Sequence, residues 1–99
     1  MPSAQRILLA YFSRAGENYF NGGRRFLDVG NTQVLADIIA GHLDATTFRI
    51  EAAEPYSDAY DATVTRNVRE QEANARPTIS RALPDVSRFD TILVGSPIW

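Results

Sequence analysis

The 99 residues contain no cysteine and no lysine. The first absence removes disulfides, thiolate metal sites and thiol redox chemistry, so any redox role needs a bound cofactor. The second removes a Schiff-base lysine and a P-loop lysine together, because all ten basic residues are arginine. That bias fits codon usage in a GC-rich genome, or selection for guanidinium forks. A dominant sign of charge is missing too. The formal net charge of −2 gives no attraction for nucleic acid or an acidic membrane. The lone histidine, His42, falls on the polar side of a helix near its end and reads as a surface residue. Ser96 therefore has no histidine for a triad, and Gly95-Ser96-Pro97 does not match a nucleophile elbow. No catalytic residue and no metal ligand is assigned. No stretch approaches the ~20 apolar residues of a membrane span, and Met1 to Arg6 holds no apolar signal segment. The expected location is cytoplasmic.

What is present alternates between two periods. Arg6 to Phe12 is an apolar run of strand length, as in a central strand covered on both faces. Residues 13 to 31 are polar and carry Gly16, Gly22, Gly23 and Gly30, which predicts a loop, with 17 to 29 its most mobile part. From Thr32 the apolar residues Val34, Leu35, Ile38, Ile39 and Leu43 share a helical face, with Asn31 as N-cap. Thr46 to Glu51 alternates, placing Phe48 and Ile50 on one side of a half-exposed edge strand. Ser57 opens a second helix running to about Asn74, with Tyr60, Val64 and Val68 as a narrow stripe and Pro77 beyond its end. A third strand begins near Asp90, and its continuous apolar run Ile92 to Val94 gives it interior character.

Strand, helix, strand, helix, strand specifies an α/β fold with a parallel sheet. An alternating second strand beside two continuous ones predicts the order 2-1-3, with further strands beyond the third. The chain reverses direction between strands one and three, and open sheets bind ligands at the carboxyl ends there. Two loops open at that point. One delivers Gly30-Asn31-Thr32 at a helix N-terminus, whose free N–H groups and dipole suit a phosphate without any lysine; Asn31 and Thr32 can equally be simple caps. The other is Gly95-Ser-Pro-Ile-Trp99.

Strand one ending in Tyr-Phe-Ser-Arg, Gly-Asn-Thr at the next helix start and a third strand ending in Val-Gly-Ser-Pro-Ile-Trp resemble flavodoxin-like proteins, in particular the branch with Pro-Ile-Trp after strand three. The resemblance spans essentially the whole chain. It implies a three-layer sandwich of which residues 1 to 99 are the N-terminal portion of a single domain, with strands four and five missing. It also implies FMN. The phosphate would be cradled by Ser13, Arg14, Asn31 and Thr32, with Gly30 allowing close backbone approach. The ribityl chain and isoalloxazine would be bordered by Ser96, Pro97, Ile98 and Trp99. Glu17 to Val29 intervene where most members pass directly to Gly-Asn-Thr, although a subgroup with Gly-Glu-Asn-Tyr resembles this chain, so Gly16-Glu17-Asn18 competes for the phosphate turn. Trp99 either packs on the flavin or is a terminal residue with another neighbour. Tyr19 can approach a bound ring, while Tyr56 and Tyr60 read as packing residues.

The implied function is an FMN-binding redox protein, an electron carrier or a reductase of small acceptors. The alternative is a truncated half-fold or assembly module that binds no flavin. Strand three, with Ile92, Leu93 and Val94, presents an unpaired edge, which predicts self-association.

Overall fold

A computed structural model describes residues 6–97. Along the chain lie β1 (Ile7–Phe12), β2 (Gly16–Phe20), β3 (Gly23–Leu27), α1 (Asn31–His42), β4 (Ala45–Ile50), α2 (Tyr60–Glu72), a single 3₁₀ turn at Val86–Arg88 and β5 (Thr91–Gly95). β1 is the centre of a three-stranded parallel sheet ordered β4-β1-β5. Ile7 stands in register with Ala45 on one side and Thr91 on the other. The central place matches its composition: Leu8, Leu9, Ala10 and Tyr11 are all buried. Leu9 and Tyr11 pack on Ala36 of α1, with Ile39, Ala45 and Leu93 around them. Phe12 points to the opposite face by the two-residue period of a strand. There its ring meets Tyr56 edge to face at 5.8 Å, and Tyr56 is tied to α2 by a hydrogen bond to Glu70. The helices thus reach the sheet from opposite faces.

Four expectations are corrected. Residues 13 to 31 are not one loop, since β2 and β3 form an antiparallel hairpin in which Tyr19 faces Arg24. Its two-residue turn puts Asn21 at φ 52° and Gly22 at φ 82°. These are the signs a type I′ turn requires, and Asn-Gly is its preferred sequence. The hairpin also displaces the strand count. In chain order the second and third strands are the hairpin, so the expected order 2-1-3 is not matched, and the sheet is built from the first, fourth and fifth.

Neither helix is capped as expected. Asn31 is the first residue of α1 rather than its N-cap; Gly30 holds that place and offers no side chain. α2 starts at Tyr60, not Ser57, with Ala59 as N-cap, because the Ser57 hydroxyl is spent on the N–H of Ala59 in a local turn. Finally, the apolar stripes are buried only in part: Ile39 packs on the core, but the most buried helix positions lie off the stripes. α1 buries Ala36 while Leu35 and Ile38 stand more than half exposed, and α2 buries Thr63 while Val68 is exposed. The sheet is too narrow to cover the full width of the α1 stripe. β5 lies at its edge with Ile92 and Val94 exposed.

Candidate functional site: an anion cavity at the carboxyl end of the sheet

The segment leaving β1 serves both helices. Helix geometry leaves the first N–H groups of each helix without an internal acceptor. In α1 the N–H of Gln33 donates to Ser13 Oγ at 3.0 Å. In α2 the N–H of Tyr60 donates to Glu17 Oε1 at 2.9 Å. Gly30 makes the first contact possible. A Cβ there would lie 2.3 Å from Ser13 Oγ and 2.6 Å from the carbonyl oxygen of Arg14.

Arg14 is 8% exposed and its guanidinium is committed to backbone. It donates to the carbonyls of Ala15, Ser57 and Asp58 at 3.0 to 3.2 Å and to that of Glu17. The hairpin start and the approach to α2 are thereby stitched to the end of β1. Burial draws the Arg14 pKa below its ordinary value, opposed by the negative charges of Asp58 and Glu17. Gly16, at φ 102°, sits in the same knot, where a Cβ would come within 2.8 Å of the Asp58 carbonyl oxygen. Asn18 completes it, its amide donating to the carbonyls of Arg14 and Gly16.

A cavity of about 170 Å³ opens over the N-terminus of α1. Ser13, Arg14, Asn31, Thr32 and Pro97 line it, so five predicted site residues come together. The two expected loops do meet there: a Cβ on Gly95 would lie 3.5 Å from the Thr32 methyl group. Gly30 stands behind the wall as a packing residue, and Ser96 is exposed off the cavity. Ile98 and Trp99 lie outside the described residues. Asn18, from the competing Gly16-Glu17-Asn18 turn, and Tyr19 also join the lining, and the structure adds Tyr60, which the sequence read as a packing residue. Tyr60 could have been found only through the hairpin, which folds onto the first turn of α2.

Chemically the wall is a set of donors. It holds hydroxyls, amides and one guanidinium, and no carboxylate. Asn31 and Thr32 contribute N–H groups of the helix first turn, and the helix dipole adds partial positive charge. The Ser13 oxygen, having accepted from Gln33, keeps its own O–H to give away. The Asn31 side chain is partly engaged, donating to the Tyr19 carbonyl at 3.0 Å. Outside the cavity Arg24 pairs with Asp61 at 2.8 Å, and hydrogen bonds to Asp61 and Tyr19 raise its pKa above the ordinary value. Among the described residues no cluster of His, Asp or Glu suits a metal ion, and no helix is long and apolar enough to cross a membrane.

A family model described as Flavodoxin matches residues 6–99. The chain belongs to the flavodoxin family. No curated protein matches it. Flavodoxins typically bind FMN. A carboxylate-free cavity at a helix N-terminus suits the phosphate of that group. At about 170 Å³ it accommodates one end of such a ligand only, since whole small-molecule sites run to roughly 300 to 1,000 Å³.

Proposed function

We propose that the chain binds FMN by its phosphate at the N-terminus of α1 and serves as a flavin redox protein of the cytoplasm, carrying electrons or reducing small acceptors. The observation that carries this reading is the convergence of Ser13, Asn31 and Thr32 on a cavity whose lining contains donors and no carboxylate. When bound, FMN supplies the electron-transfer chemistry, which a chain without cysteine cannot. The residues of the chain bind and orient. Thr32, through its N–H and hydroxyl, and Ser13, through the hydroxyl that also holds α1 in place, would hold the phosphate, and Pro97 would border the remainder of the group. Arg14, itself part of the lining, adds positive charge there; its Nη1 and Nη2 groups are occupied by backbone carbonyls, whereas its buried Nε has no hydrogen-bond partner among the described residues.

Thr32→Ala removes one charge-assisted hydrogen bond, a loss of roughly 1.5 to 3 kcal/mol in FMN binding. Flavin fluorescence titration measures it, and an unchanged affinity would rule out the phosphate assignment. A second reading, an assembly module that binds no flavin, is favoured by the exposure of Ile92 and Val94 on β5. A colourless chain that cannot be reconstituted with FMN would select it.

A further inference from the structure

The hairpin is clasped to α2 by a cluster of four side chains, of which two line the cavity and two do not. Tyr19 of β2 and Tyr60 of α2 meet edge to face, with centroids 5.0 Å apart and planes at 90°. Arg24, opposite Tyr19 in the hairpin, lies over both rings, 5.5 Å from the centroid of Tyr19 and 4.8 Å from that of Tyr60. The same guanidinium reaches Asp61, the residue after Tyr60, at 2.8 Å. Both tyrosines line the anion cavity, whereas Arg24 and Asp61 do not.

We propose that Arg24 and Asp61 are positioning residues for this site: they clamp the outer half of the hairpin onto the first turn of α2, so that Tyr19 and Tyr60 stand as a wall that retains a phosphate-bearing ligand. The proposal rests on the FMN reading above. Two anchors hold the hairpin at different heights. Glu17 and Arg14 fix its base to the α2 start, through the N–H of Tyr60 and the carbonyls of Ser57 and Asp58. Arg24 acts farther out, one residue from the turn side of β3. A two-stranded ribbon is marginal by itself, so modest contacts decide how often its outer half stands open. An exposed ion pair contributes little alone. The stack of one guanidinium over two rings adds to it, and together they bias the closed arrangement.

A wall that opens and closes controls passage in both directions, and this separates positioning from simple damage to the site. In the 99-residue chain, Arg24→Ala should raise the FMN dissociation rate constant about tenfold, with association no slower than in the parent. Asp61→Asn should do the same to a smaller extent, and Arg24→Lys should recover part of the effect because it keeps the charge. Stopped-flow flavin fluorescence reads both rate constants. Hydrogen exchange of the ligand-free chain should show faster exchange over residues 19 to 24 in Arg24→Ala, with the α1 amides unchanged. Unchanged release from both Arg24→Ala and Asp61→Asn, while the parent binds FMN, overturns the positioning role and leaves the FMN reading intact. Slower uptake with faster release marks damage to the site and also overturns it. A parent chain that takes up no FMN overturns the FMN reading and the positioning role with it.

Discussion

Ser13 Oγ accepts the Gln33 N–H that helix geometry leaves unpaired, and its own proton remains for donation into the cavity. Ser13→Ala should therefore cost about 1 kcal/mol in denaturant unfolding, the usual worth of a lost N-terminal helix cap, and should weaken FMN binding as well. Stability unchanged within error would mean that water replaces the hydroxyl. Gly30 tests how closely α1 must approach β1. Its φ of −64° suits any residue, so only the clash of a new Cβ with Ser13 and Arg14 opposes substitution. Gly30→Ala should destabilise the fold by roughly 1 to 3 kcal/mol, as overpacking does. A cost near zero would show that α1 shifts freely. Tyr56 reports on pH. Burial, then the hydrogen bond to Glu70 and the negative charge of Glu70, raise its pKa above the ordinary 10.0. A raised folded pKa means that the folded chain prefers the neutral phenol. Its contribution is therefore complete below the ordinary value and is lost as pH rises from there through the folded value. Alkaline unfolding curves should show this loss in the parent and a flatter response in Tyr56→Phe.

At the scale of elements, the segment from Ser13 to Glu17 joins two helices that lack side-chain caps of their own. Arg14 is its fastener. Arg14→Met keeps much of the bulk but releases four carbonyls in a knot where Gly16 and Asn18 are also buried. A loss of roughly 2 to 4 kcal/mol is expected by denaturant unfolding. Protease cleavage in the hairpin should accelerate in parallel. If Arg14→Met loses FMN affinity while stability and hairpin protection are unchanged, the guanidinium acts on the ligand and not on the loop. The hairpin was legible in part. Glycine content across residues 13 to 31 argues for a loop, but Asn21-Gly22 between Tyr19-Phe20 and Arg24-Arg25-Phe26 carries a turn signal with a mechanism, and the backbone follows it. Where the hairpin docks was not legible, because Glu17 and Tyr60 are partners across 43 positions of the chain.

The molecule as a whole is open for its length. Its radius of gyration is 15.4 Å, against about 12.6 Å for a compact domain of this size. Its accessible surface of 7033 Å² exceeds the roughly 5,600 Å² of a closed monomer of this mass. Much of the excess is apolar: Leu35 and Ile38 on α1 and Ile92 and Val94 on β5 are exposed, Val94 at 75%. An apolar edge strand with an uncovered face favours pairing with another chain. Sedimentation of the 99-residue chain should give a mass that rises with concentration above 11.0 kDa, and Val94→Lys should suppress the rise. A parent mass that stays at 11.0 kDa at all concentrations would refute the edge argument.

Periodicity alone determined the α/β class, the central place of β1, the edge place of β4 and the two helices, because burial on both faces, on one face or along a stripe imprints a local pattern on the chain. The resemblance to flavodoxins, carried by the sequence motifs and not by periodicity, marked Ser13, Arg14, Asn31, Thr32 and Pro97, which the fold gathers at one cavity. Only tertiary structure decided what each of them does there. Ser13 turned out to cap a helix 20 residues away, and Arg14 to bind carbonyls up to 44 residues away. It decided the buried faces as well, choosing Ala36 and Thr63 over the longer apolar side chains beside them. A hydrophobic stripe states which residues avoid water, but the width of the sheet facing it sets how many of them can.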